Sequence, residues 1–196
     1  MSLSLIVPYI NANLSSPIEL LPEQMNNDYK IHLLNNLKKK ILNKCYKEYG
    51  YITHIYGFPE NEEFEGKINY EDQNCGAIFF VKFLCRLCIP IINKQIICQV
   101  NRFSRTILKL VNGPIITIVT FDKINIENFI IDDECNIYIK DTESKNQMKN
   151  ELTKDHYVVV TIESKLFNDM DAYIMTIGYM DRVATQYEIE NFYNVK

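Results

Sequence analysis

Cys85-Arg86-Leu87-Cys88 is the spacing in this chain that most resembles a chemical site, because two thiols three positions apart can form a redox pair or half of a zinc site. A closed zinc site needs a second pair or two histidines, and His32, His54 and His156 lie far apart in the sequence. The surrounding run reads as a strand, on which positions three apart point to opposite faces, so the two sulfurs do not converge. Glu60, Glu62, Glu63 and Glu65 are carboxylates on one predicted loop; crowded like charge of that kind is ordinarily solvated. The chain has no P-loop, dinucleotide glycine fingerprint or nucleophile elbow. These residues point to no catalytic group, no metal and no cofactor.

Nucleic-acid chemistry has two candidate stretches. Phe80-Val81-Lys82-Phe83 matches the last four positions of the aromatic signature with which RNA-recognition sheets stack bases. Gly76, Ala77, Ile78 and Phe79 do not match its first four, and no second helix follows, so the match reads as a truncated relative. Arg102, Phe103, Arg105 and Lys109 cluster at a predicted hairpin. Barrels of the OB type hold single strands with such aromatic and basic residues, although basic hairpin residues also serve solubility alone.

Composition sets bounds on these readings. The chain has 196 residues, 47% of them hydrophobic, and a formal net charge of −4, so any polyanion contact must be local. The six cysteines show no framework spacing, which points to reduced thiols inside a cell. Met1–Ile10 lacks the basic region of a signal peptide, and no apolar run reaches the ~20 residues of a membrane span, so an intracellular protein without membrane contact is expected. The heavy use of Ile, Asn and Lys is the signature of an AT-rich genome.

The elements that would position these residues begin with a brief strand over Leu14–Leu20, which Pro17 assigns to a sheet edge. Tyr29, Leu33, Leu37, Ile41 and Cys45 recur every four residues and predict a helix from about Asn26 to Tyr46. A strand from Tyr49, a long polar tip and the aromatic strand Ala77–Ile89 follow. Both faces of that last strand are largely apolar, which predicts a central strand covered on both sides. Beyond it, Ile91–Val100, Thr106–Val111, Ile115–Phe121, Asn136–Ile139, Tyr157–Ile162 and Ala172–Ile177 are β-rich, with a turn at Asn112-Gly113-Pro114 and a polar loop over Lys140–Asp155. The expected architecture is an α+β N-terminal unit over residues 1–89 and an all-β OB-fold barrel over residues 90–180. The tail over residues 181–196 is either helical or ordered by a partner.

The order of a Leu21-Pro22 entry, an amphipathic helix, Gly50-Tyr51-Ile52, a tip closing at Gly66-Lys67-Ile68, an aromatic strand, Ile91-Ile92 leading into Ile96-Ile97, and Gly113-Pro114 resembles the stalk subunit of DNA-dependent RNA polymerases. This family contains the seventh-largest subunit of eukaryotic polymerase II and its archaeal counterpart. The resemblance spans about Leu14 to Met180. It implies a truncated ribonucleoprotein-like tip domain followed by an OB barrel, with no catalytic residues of its own. It places the core-docking tip at Pro59, Glu60, Phe64, Gly66, Lys67, Ile68, Tyr70 and Gly76, and the RNA-facing side on the hairpin Ile96–Val111. The implied partners are the large catalytic and clamp-side polymerase subunits, a fourth-subunit-like stalk partner and nascent RNA. Lys94 stands where the family usually has a glycine, and no glycine occurs between Gly76 and Gly113, so the first barrel hairpin must turn differently. The terminal extensions and skewed composition suggest a divergent member, as a large DNA virus would carry. The implied location is the nucleus for a eukaryotic member, and host cytoplasm or virion for a viral one. The competing readings are a stand-alone single-stranded RNA-binding OB protein and a thiol or zinc enzyme at Cys85 and Cys88.

Overall fold

The structure is a computed structural model and describes residues 4–60, 63–68, 74–104, 106–132, 136–140 and 150–193. Its contacts divide the chain into two compact units: residues 9–89 with 168–172, and residues 1–8, 90–167 and 173–196.

The first unit is an antiparallel sheet with one helix on it. Its elements are β1 (Tyr9–Leu20), α1 (Tyr29–Ile41), β2 (Cys45–Tyr46), β3 (Gly50–Gly57), β4 (Gly66–Ile68) and β5 (Ala77–Cys88). The strand order is β1-β5-β3-β2, with β4 also paired to β5. Leu33, Leu37 and Ile41 put the apolar stripe of α1 onto Ile18, Leu20, Ile52, Val81, Phe83 and Leu87, which form one buried cluster. Lys38, Lys39 and Lys40 occupy the last turn, where positive charge suits the helix dipole. The helix is shorter than its sequence pattern predicts. It ends because Leu42 is already extended and Asn43 is left-handed (φ 59°), a conformation that asparagine tolerates, and Cys45 and Tyr46 go to a strand instead. β1 is longer than expected and is an edge strand, with Pro17 opposite Phe80.

The expectation that β5 is covered on both faces is not met. Val81, Phe83, Cys85 and Leu87 are buried beneath α1, whereas Ile78, Phe80, Lys82 and Leu84 are exposed. A single helix covers a single sheet face, and strand alternation alone does not reveal which apolar face is left uncovered. Gly50 is required where β3 meets β5. Its φ is 121°, and a Cβ there would stand 2.7 Å from the Cys88 carbonyl oxygen.

The second unit is built on a closed barrel. β6 (Gln95–Phe103), β7 (Ile107–Asn112) and β8 (Ile115–Thr120) form a meander, with Gly113 left-handed (φ 53°) in its second turn. A satellite sheet follows, of β9 (Phe129–Ile131), β10 (Ile137–Ile139) and β11 (Asn150–Glu151). The run Asn136–Ile139 therefore belongs to this small sheet and not to the barrel. β12 (Tyr157–Leu166) and β13 (Ile174–Val183) complete the barrel in the order β12-β13-β8-β7-β6. β12 pairs antiparallel with β6, and β13 pairs parallel with β8. Five strands closed in this Greek-key order fit an OB-like fold.

At the parallel seam, the Thr117 and Thr176 hydroxyls lie 2.7 Å apart and satisfy each other inside the barrel. Gly178 lets β12 and β13 approach beside the Ile162/Ser164 bulge, since a Cβ there would come within 2.7 Å of the Thr161 carbonyl oxygen. The missing glycine near Lys94 is replaced by Asn93, which takes a left-handed φ of 60° and donates its N–H to the Ile162 carbonyl at 2.7 Å.

Candidate docking tip and nucleic-acid hairpin

The tip residues separate into anchors and exposed groups. Phe64 folds back on its own unit: its ring lies 4.8 Å from that of Phe58 at 65°, and the Lys30 ammonium sits 5.8 Å above it. Phe64 and Phe79, with Tyr29, Met25 and Asn26, line a shallow surface hollow. Gly66 serves the same packing, because the Phe79 ring occupies the space a Cβ would take, 2.5 Å from its position. Gly76 is buried with the Glu19 side chain against it. Pro59 is half-buried. Glu60, Lys67 and Ile68 are exposed, and Ile68 is 58% exposed although it is a large apolar residue. Tyr70 and Glu62 lie outside the described residues.

The hairpin residues are brought together in part. Arg102 is directly opposite Lys109 across β6 and β7, so two cations share one outer position of the barrel. Phe103 is opposite the buried Leu108 and lies on the other face, half-buried, after a bulge between Val100 and Arg102. The aromatic member therefore does not lie beside the cations. Arg105 lies outside the described residues.

The thiols sit in apolar surroundings. Cys85 faces Ala12 and Ile55 on the helix-covered side, while Cys88 is paired with Tyr9 and Tyr51, so the two belong to opposite sheet faces. Burial pushes the Cys85 thiol up to about 11 and the Cys88 thiol up to about 12, which keeps both protonated near neutrality and poor as nucleophiles or metal ligands. Among the described residues there is no group of three or more His, Cys, Asp or Glu side chains that could hold a metal ion. His156 Nδ1 accepts the Thr153 N–H at 3.0 Å, and the His54 ring packs edge-on against Tyr56 at 4.9 Å.

No protein-family model matches the chain. A protein of Acanthamoeba polyphaga mimivirus, named as a DNA-directed RNA polymerase subunit, is 30% identical over 186 residues, spanning 95% of this chain and 88% of its own length. The chain belongs to this family of DNA-directed RNA polymerase subunits. Among the described residues of this polymerase subunit, no helix is long and apolar enough to cross a membrane.

The C-terminal part of the polymerase subunit holds a group that sequence reading missed. β13 continues to Val183, and α2 (Gln186–Tyr193) follows it. Thr185 and Glu188 form a reciprocal cap: the Glu188 carboxylate accepts the Thr185 N–H at 3.0 Å, and the Thr185 hydroxyl faces the Glu188 N–H at 3.3 Å. The same carboxylate receives two Arg182 N–H bonds at 2.5 and 2.7 Å. The signal was present as Thr-x-x-Glu ahead of an aromatic run. The Arg182 hydrogen bonds, aided by those from Thr185, lower the Glu188 carboxyl from 4.5 to about 2. A depressed carboxyl contributes stability above its unfolded value and loses it as the pH falls, so α2 should fray between about pH 4.5 and 2. Glu188→Ala should raise amide exchange across α2 at pH 7 by about fivefold, corresponding to a lost cap of about 1 kcal/mol. Unchanged exchange in 186–193 would show that the cap does not hold the helix.

Proposed function

We propose that this polymerase subunit is a non-catalytic stalk subunit, which docks to the core enzyme by the tip of its first unit and guides nascent RNA or initiation factors with its barrel. The observation that carries the reading is an OB-like barrel joined in one chain to a sheet-and-helix unit whose short, exposed tip strand carries Lys67 and Ile68, in a chain related over 95% of its length to a named polymerase subunit. The first unit would be the truncated ribonucleoprotein-like tip domain. Its docking partners would be the large catalytic and clamp-side subunits, with a smaller stalk partner alongside. The relative is viral, which favours transcription served by a viral polymerase.

Exposed Lys67 and Ile68 support docking through β4, since an unburied apolar residue beside a cation on a short strand is a surface suited to a partner. The paired cations Arg102 and Lys109 favour a second reading, a stand-alone single-stranded RNA-binding OB protein. Lysine-directed cross-linking of the native assembly separates the two. A docked stalk yields cross-links from Lys67 to a large catalytic subunit. Intact polymerase cross-linked through the barrel lysines alone would contradict docking by the tip.

A further inference from the structure

The outer edge of β1 has no neighbouring strand, and side chains of the first unit answer its carbonyls instead. Tyr46 donates its hydroxyl to the Ser15 carbonyl at 2.8 Å, Lys40 its ammonium to that of Pro17 at 2.7 Å, and Asn36 its amide to that of Glu19 at 3.0 Å. Residues 15, 17 and 19 alternate along the strand, so these are the backbone groups that turn away from β5. Ile18 and Glu19 of β1, with Asn36, Lys39 and Lys40 of α1, line an open hollow of about 430 Å³ between strand and helix. Lys39 is exposed and meets no acceptor or carboxylate among the described residues.

We propose that this groove docks an acidic, extended segment of a partner protein, whose carboxylates pair with Lys39 and Lys40 while its backbone runs along the edge of β1. The lysines exceed what the helix dipole calls for: residues 29–47 hold six lysines and no carboxylate, in a chain of net charge −4. A local positive field on an acidic background selects a negatively charged occupant. Glu19 does not cancel that field, because its carboxylate lies against Gly76, on the sheet face away from α1. A small molecule would need a concave, mostly apolar pocket, whereas Ile18 is the one apolar residue of this lining. A nucleic acid would need rings to stack on, and the lining has none, while the Pro17 and Glu19 carbonyls would face its phosphates. A peptide backbone suits the same edge, since the Glu19 N–H turns outward with its carbonyl and has no partner among the described residues. Pro17 supplies no N–H, so strand pairing stays short and affinity rests on charge. β4 pairs with the other side of β5, so the groove is separate from the tip strand and does not depend on the stalk reading.

The test is a fluorescence-anisotropy titration of a labelled decaglutamate peptide, which its own charge keeps extended, with the full chain across a salt series. The wild type should bind at low salt and release the peptide as salt is added. Lys39→Glu should weaken binding by about fivefold or more, the effect of turning one exposed ion pair into a repulsion. Lys39→Arg should retain it, and Arg102→Glu with Lys109→Glu should leave the Lys39 dependence in place. Undiminished affinity of folded Lys39→Glu overturns the proposal, as does a wild-type chain that does not bind the peptide. If Lys39→Glu loses affinity for a labelled oligouridylate but not for the peptide, the groove is a nucleic-acid site and the proposal fails. Should Lys39→Glu not fold, carbodiimide coupling of the peptide to the wild type decides: an amide on Lys39 or Lys40 supports the site, and amides elsewhere alone refute it.

Discussion

Phe83→Ala is expected to destabilise the first unit by about 3–5 kcal/mol, the usual cost of deleting a fully buried phenyl ring. Phe83 is completely buried, stands opposite Leu14, and meets the Tyr46 ring edge-on with centroids 6.4 Å apart. Tyr46 is held in place by its hydroxyl, which donates to the Ser15 carbonyl at 2.8 Å, so it cannot swing freely into the vacated space. The cavity should therefore stay largely open. Hydrogen exchange resolved by peptide would show lost protection across β1, β3 and β5 while β7, β8 and β12 keep theirs. Phe80→Ala, three positions earlier on the other face, should change stability by less than about 0.5 kcal/mol. Equal effects of the two substitutions would contradict the division of β5 into a covered and an open face.

The second large effect concerns assembly. Ile68→Asp should reduce the polymerase recovered with the tagged chain by at least tenfold, because a charge placed at a desolvated contact costs ~1.4 kcal/mol or more. Ile68 suits this test because it is exposed on β4 and contributes little to its own fold. Phe64 does not, since its stacking on Phe58 would confound loss of docking with loss of structure. Full recovery of the polymerase with a folded Ile68→Asp chain would remove β4 from the docking surface.

Much of the architecture is legible in local chemistry. The four-residue recurrence of Leu33, Leu37 and Ile41 marks α1, and Asn112-Gly113-Pro114 marks the turn between β7 and β8. β-branched runs mark the strands that close the barrel. What is not legible depends on partners distant in sequence. The apolar outer positions of β5 look the same as its inner ones until the single helix is known to cover only one side. Phe64 reads as part of a projecting tip, yet the packing of Phe58 and Phe79 draws it back. Arg102 and Lys109 are seven apart in sequence and become neighbours only through the register of β6 and β7, while the bulge that precedes Arg102 leaves Phe103 on the other face. The α2 cap was visible as Thr185 and Glu188, but its full strength comes from Arg182, which no capping pattern includes.

Purification of the tagged full-length chain from its native source, with quantitative mass spectrometry of the eluate, bears most directly on the polymerase role. A stalk subunit brings down the two largest catalytic subunits in amounts comparable to itself and retains them through a salt wash. An eluate containing the chain without those two subunits would contradict the role proposed here.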